Sequence, residues 1–346
     1  MLDIYLVVIL SVSFSLVSLL VMRYFAEDLG LVDVPCSRKN HIGDIPLVGG
    51  MSVFIAIGLS IIFFIKTTQE LNLFLIASSL MVFIGVLDDK HDLTVRSRFI
   101  GQFLISAILI FGVGKYIETF GNIFSFGDVS LGAFGIPVTF LAVIAAINAF
   151  NMVDGIDGLL ASCAIVAFSG LAYFFHKSND QINFLVCITI IFSLIPFLFA
   201  NFAVFPFSRK KIFMGDAGSM LIGLAVVWFL VLGSQPTANK SPAFSPVIAL
   251  YIISIPLMDM IAVIFRRLKS GKSPTKPGRD HAHHLLMKYG LSTKKTLFTI
   301  IVGYIFILSA GIILESFLLE HELLIAFFLF FVLYILSMNF IGKRIK

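Results

Sequence analysis

At 346 residues, 59% hydrophobic and only 13% charged, with a mean hydropathy of +1.02, the chain is too apolar for a soluble domain and has the composition of a multi-span membrane protein. Its formal charge of +5 is a topology signal, developed below, and requires no nucleic-acid partner. The three cysteines, Cys36, Cys163 and Cys187, are too scattered for a disulfide framework.

Leu6–Met22 opens the chain as a long apolar run led by Asp3 and followed by Arg23. A secretory leader would carry a basic start and a small-residue cleavage site, so the run reads as a retained first span. Further apolar runs place spans near 47–65, 73–87, 99–114, 133–150, 159–175, 182–200, 217–233, 246–265, 297–314 and 323–341, about eleven with the first near 4–22. The expectation is an all-α, single-domain membrane protein over 1–346. With the N-terminus outside, 21 of the 25 Lys and Arg fall on the inner side, and only Lys66, Lys115, Lys177 and Lys240 fall outside. That excess predicts a cytosolic C-terminus, with inner loops 23–46, 88–98, 148–158, 201–216 and 266–296.

The outer loops carry no cluster of chemical groups; each inner loop does. In the first, Arg38, Lys39 and His41 suit a phosphate or a positive-inside anchor, and Gly49-Gly50 permits close backbone approach at a span's start. The second carries Asp88-Asp89 at the end of the short span 73–87. About fifteen residues cover only about 22 Å as a helix, against an apolar core of about 30 Å. The pair is thus expected at or just within the inner rim. It benefits from a nearby cation, with Lys90 as an alternative salt-bridge partner. Arg96 and Arg98 read as anchors.

The third loop is NAFNMVDGIDGL, Asn148–Leu159, with Asn148, Asn151, Asp154 and Asp157 spaced by three. It is either a polar connection between spans or an ion-holding or cavity-facing ladder. A break in the helix would let more of the ladder converge. The fourth, SRKKIFMGDAG, sets Asp216 among small residues at the start of a span, as a metal ligand, an N-cap or both. Phe213 suits either base stacking or the membrane interface. The fifth holds GRDHAHHLL, Gly278–Leu286. His281, His283 and His284 lack the ligands that would complete a zinc tetrahedron and suit donation to phosphate better. Asp259 lies within a span three residues after Pro256, where it either serves backbone groups freed by the proline or joins the site from below.

Adjacent carboxylates and amide oxygens without soft ligands favour Mg²⁺, with Mn²⁺ able to substitute. Magnesium held by few carboxylates usually shares phosphate oxygens, so a diphosphate or nucleotide is implied. No Walker-type phosphate loop is present, which argues against an ATP-driven pump.

The ordered segments LVDVPCSRKNH (31–41), PLVGG (46–50), GVLDD (85–89), NAFNMVDGIDGL (148–159), FMGDAGS (213–219) and RDHAHHL (279–285) resemble the polyprenyl-phosphate N-acetylhexosamine-1-phosphate transferases, glycosyltransferase family 4. The split pattern His281-Ala282-His283-His284 is similar to the branch that makes undecaprenyl-diphospho-N-acetylglucosamine. The muramoyl-pentapeptide branch typically carries three histidines in a row.

The resemblance implies that undecaprenyl phosphate attacks the β-phosphorus of UDP-GlcNAc and releases UMP, at the first membrane step of a lipid-linked surface glycan. It implies Asp216 and Asn151 as magnesium ligands, and Asp88, Asp89 and Asp216 as catalytic. Arg38, Lys39, His41, Asn151, Asp154, Asp157, Phe213, Ser219, His281, His283 and His284 are the expected substrate contacts. A homodimer is a further expectation. The alternatives are the same reaction with another UDP-N-acetylhexosamine, or a secondary transporter, which would want acids near mid-membrane and a pair of broken-helix repeats.

Overall fold

The computed structural model describes all residues except 1, 34–42, 208–210, 237–240, 274–277 and 346. The long apolar runs form helices because only a helix satisfies its own backbone in lipid. In chain order these are α1 (Leu2–Phe25), α2 (Gly49–Phe64), α3 (Gln69–His91), α4 (Val95–Ala107), α5 (Gly135–Val153), α6 (Leu159–Lys177), α7 (Gln181–Asn201), α8 (Gly215–Ser234), α9 (Pro246–Ile252), α10 (Ser254–Lys269), α11 (Ala282–Lys288), α12 (Thr293–Leu314) and α13 (Glu320–Arg344). A π-turn, Ile108–Gly112, extends α4. The only strands among the described residues are β1 (Val32–Asp33) and β2 (Ile45–Pro46), paired antiparallel. The protein is all-α and multi-span.

Every predicted span has a helical counterpart. Among the described residues nine helices are long and apolar enough to cross a membrane; α9 and α10, bent by 81°, make a tenth candidate; α2 is a shorter apolar helix. Two expectations are corrected. The span 73–87 is not short: α3 has 23 residues, so Asp88-Asp89 sit in its last turns. The span 246–265 is not one helix, and its break falls at Ile253 rather than at Pro256. Pro256 lies in the first turn of α10, where a helix needs no proline N–H. The Tyr304 hydroxyl donates to the Ile252 carbonyl beside the break.

Helix α8 is the axis of the bundle. It is almost wholly buried, whereas α13 is mostly exposed at its sides, as suits a helix facing lipid. Small residues let its neighbours approach. A Cβ on Gly85 of α3 would sit 2.2 Å from Ala217 Cα, and one on Gly50 of α2 would sit 2.2 Å from Gly218 N. Close approach without side chains is the usual basis of tight helix pairing in membranes. The Gly49-Gly50 pair therefore serves helix packing. It brings the ends of α2 and α3 against the first turn of α8, at the end of the bundle where the acids gather.

Candidate active site

The segment before α8 is pinned to the first motif. Phe213 N donates to Pro46 O (2.9 Å), Gly49 N to Phe213 O (3.0 Å) and Gly50 N to Met214 O (2.9 Å). Helix α8 then begins at Gly215, with Asp216 in its first turn and no cap from its own sequence. Asp89 supplies the cap from α3. Its carboxylate accepts from Asp216 N (2.7 Å) and Ala217 N (3.2 Å), two of the donors a helix start leaves unpaired. The expected N-cap role of Asp216 is thus taken by Asp89, and the Asp216 side chain is left for other work.

Asn151, in the last turn of α5, donates its Nδ2 to Asp216 Oδ1 (2.7 Å) and to Ser219 Oγ (2.8 Å). Helix α5 stops at Val153 and α6 starts at Leu159, so the ladder is broken where convergence requires it. Asp154 opens onto the site. Its side chain is reached by solvent yet hemmed in by protein, and that desolvation, then the charges of Asp216 and Asp157, push its carboxyl up to about 7. Asp157 turns away to Lys211 Nζ (2.7 Å), whose ammonium stands 5.0 Å from the Phe213 ring centroid. Asn148 is further off, bonded to Gln102 Oε1 (2.9 Å).

Asp88 is buried and accepts from Leu93 N (2.9 Å) and from Arg98 (3.0 Å). Its partner is therefore Arg98, read from sequence as an anchor. Lys90 instead donates to Leu29 O. Asp88, Asp89 and Asp154 all feel the negative charge of Asp216. Four carboxylates thus share one end of the bundle.

The histidine loop closes another side. Arg267 holds Asp280 through Nε and a terminal nitrogen (2.9 and 2.7 Å), and Arg266 donates to the Asp280 carbonyl (2.6 Å). Burial alone would raise the Asp280 carboxyl, but the hydrogen bonds and charge of Arg267 hold it below the usual range. His281 and His283 are buried, and His284 is half-buried. His283 Nε2 lies against Gly155, where a Cβ would fall 2.2 Å away. Of the expected substrate contacts, Ser219, His281 and His283 are buried: Ser219 Oγ accepts from Asn151 Nδ2, and the His283 ring lies against Gly155. Arg38, Lys39 and His41 lie outside the described residues. Asn201 and Tyr334 escaped the sequence reading, which took Arg98 for an anchor only. Asn201 ties the ladder to the α8 approach, accepting from Gly158 N (2.6 Å) and donating to Ile212 O (2.9 Å).

His283 makes the fold acid-sensitive. Burial first, then the neighbouring His284, push its imidazole down to about 3. Between that value and about 6.5, the ordinary histidine value, the unfolded chain binds a proton that the folded chain does not. Stability therefore falls as pH drops through this window, by up to about 1.4 kcal/mol per pH unit. His284, lowered chiefly by burial, adds to that slope. Asp154, raised, works the other way: the stability it contributes is lost as pH rises toward about 7. The expected result is a thermal midpoint that drops more steeply from pH 6.5 to 5 in the wild type than in His283→Gln. Equal slopes would show that His283 is not held neutral.

Residues 71–234 match the family model described as glycosyl transferase family 4. A Yersinia pestis protein named undecaprenyl-phosphate alpha-N-acetylglucosaminyl 1-phosphate transferase is 41% identical over 323 residues, covering 93% of this chain and 87% of its own. Proteins of the same name from Escherichia coli K12 (39%, the same coverage) and Haemophilus influenzae (37%, covering 94% of this chain and 91% of its own) agree. The matched stretch runs from α3 through α8, the helices that carry Asp88, Asp89, Asn151 and Asp216, and the chain belongs to glycosyl transferase family 4, with the undecaprenyl-phosphate alpha-N-acetylglucosaminyl 1-phosphate transferases among its relatives.

Proposed function

We propose that the protein transfers N-acetylglucosamine 1-phosphate from UDP-GlcNAc to undecaprenyl phosphate, giving undecaprenyl-diphospho-N-acetylglucosamine and UMP. The observation that carries this reading is the convergence of Asp88, Asp89, Asp154, Asp216 and Asn151 at one bundle end, in a chain 41% identical to a relative named for that acceptor and sugar phosphate. In this reaction an oxygen of the lipid phosphate bonds to the β-phosphorus of the donor. The bond from that phosphorus to the bridging oxygen breaks, and UMP leaves with the oxygen. A phosphate monoester has a second pKa near about 6, so the nucleophile is largely ionised at neutral pH and needs little help from a base. What the protein must supply is position and charge neutralisation.

The donor set fits Mg²⁺ in the sense that it is all oxygen. Among the described residues no three or more His, Cys, Asp or Glu are grouped as a self-sufficient metal cage. Magnesium commonly takes one or two protein oxygens and completes its shell with water and phosphate. Asp216 would hold it, with the carbonyl-type oxygen of Asn151, whose nitrogen is committed to Asp216 and Ser219. When bound, the ion neutralises charge on the diphosphate. Asp89 keeps Asp216 in place through the α8 cap, Arg98 offsets the charge of Asp88, and Phe213 with Lys211 offers a flat, cationic surface for the uracil.

Purified protein with undecaprenyl phosphate should release UMP from UDP-GlcNAc, and at least about tenfold less from the UDP-muramoyl-pentapeptide. The reverse preference would overturn the substrate assignment. The charge bias of the loops supports a cytosol-facing site in the bacterial inner membrane. A reporter fused after Lys346 is expected to report the cytosol. An outer signal would overturn the orientation and move the site away from the nucleotide-sugar pool.

A further inference from the structure

Asp259 is a carboxylate buried in an apolar stretch of α10, SIPLMDMIAV, and the reaction as described gives it no part. A charge in such a place is kept only if donors meet it. Three do, two from the start of α11 and one from α13. His281 Nδ1 lies 2.7 Å from Oδ2, the Ala282 backbone N donates to Oδ1 (2.9 Å), and the Tyr334 hydroxyl of α13 donates to the same oxygen (2.8 Å). We propose that Asp259, backed by Tyr334, is a positioning residue: it holds a hydrogen on His281 Nδ1, fixes the ring, and thereby seats the loop that carries Asp154.

A carboxylate has only acceptors to offer, so the His281 nitrogen facing it must carry the hydrogen. Nε2 is then the outward ring atom: it only accepts while the ring is neutral, and it donates to a phosphate oxygen in the doubly protonated ring, whose charge the Asp259 carboxylate supports. Because Asp259 also takes the first N–H of α11, ring and helix are placed by the same group. The His281 ring lies nearly parallel to that of His283, at 8° and 5.8 Å between centroids. His283 in turn abuts Gly155, between Asp154 and Ile156. A continuous packed column thus runs from Tyr334 on the last helix through Asp259, His281 and His283 to the ladder loop. The other ionisable groups around it are Cys163, His284, Arg266 and the Arg267–Asp280 pair. Purely structural packing would be met by apolar side chains of the same shape. What an apolar replacement cannot do is choose which imidazole nitrogen carries the hydrogen.

The rate consequence rests on the proposed transferase reading; the hydrogen position does not. In the intact wild-type protein at pH 8, with ¹⁵N-labelled histidine and the His281 signal identified by its loss in His281→Gln, Nδ1 should carry a hydrogen. A wild-type His281 with bare Nδ1 would overturn the proposal without any need for an Asp259 variant to fold. In Asp259→Asn, the amide oxygen can keep Ala282 N and Tyr334, which turns NH₂ toward the ring and forces the hydrogen to Nε2. We expect kcat to fall roughly 10–100-fold, the range for losing such a supporting partner, with KM for UDP-GlcNAc changed far less. Tyr334→Phe leaves the Asp259–His281 bond in place and should keep the hydrogen on Nδ1. An Asp259→Asn protein with wild-type kcat would overturn the proposal. Wild-type protein that turns over no UDP-GlcNAc, yet shows the Nδ1 hydrogen, would sink the transferase reading and leave the column intact.

Discussion

Asp216→Asn is expected to leave the bundle folded and to slow UMP release by ~10²–10³-fold, the usual cost of removing one strong electrostatic contact from such a site. The geometry separates fold from function unusually cleanly here. Asp216 does not cap its own helix; Asp89 does, through backbone atoms that the substitution does not touch. An asparagine oxygen can still accept from Asn151 Nδ2, as Asp216 Oδ1 does at 2.7 Å. The change also removes one negative charge from a group of four carboxylates. The ligand-free thermal midpoint should therefore stay level or rise. What is lost is charge for a cation and for the diphosphate. Raising Mg²⁺, or substituting Mn²⁺, should restore part of the rate. Wild-type activity with unchanged Mg²⁺ dependence would remove Asp216 from the metal assignment.

The residues that sequence reading found and those it missed differ in a physical way. Asp88, Asp89, Asn151, Asp154 and Asp216 stand out because a carboxylate or amide beside long apolar runs is costly and therefore conspicuous. The helices were legible for the same reason, since length and apolarity suffice to mark them. Partnerships were not legible. Nothing near Asp89 announces that it caps a helix starting 126 residues later at Gly215, and nothing near Asp259 points to Tyr334. Arg98 looked like any basic residue at a span's edge until α4 packed beside α3 and brought it to Asp88. Burial was not legible either: Ser219 and His283 are enclosed by neighbours distant in the chain. The break at Ile253 has no local marker, because the bend lies in an apolar run and the nearby proline falls where a helix tolerates it.

Asp89→Ala should have the opposite signature from Asp216→Asn: activity and stability lost together. The Asp89 carboxylate is the partner of Asp216 N and Ala217 N, the first donors of the helix at the centre of the bundle. The backbone around the position has little room to shift. Gly85 and Gly50 hold α3 and α2 in backbone contact with Ala217 and Gly218, and Gly215 has its open face against the Asp89 carboxylate itself. Asp89, Gly215 and Asp216 are partly buried, so water entering the space left by the side chain recovers only part of the loss. Leaving a buried donor unmet costs about 1–3 kcal/mol, so losing both should cost about 2–4 kcal/mol once partial rehydration is allowed for. Relief of repulsion between Asp89 and Asp216 offsets some of this, which makes the lower half of the range the better expectation. Because the helix start also fixes Asp216, UMP release should fall at least as far as in Asp216→Asn, and added Mg²⁺ should not rescue it. Asp89→Asn keeps one acceptor oxygen and should recover part of the stability. The test is a thermal midpoint in detergent beside UMP release for both variants. An Asp89→Ala protein that is inactive yet melts with the wild type would show that Asp89 acts on the reactants and not through the α8 cap.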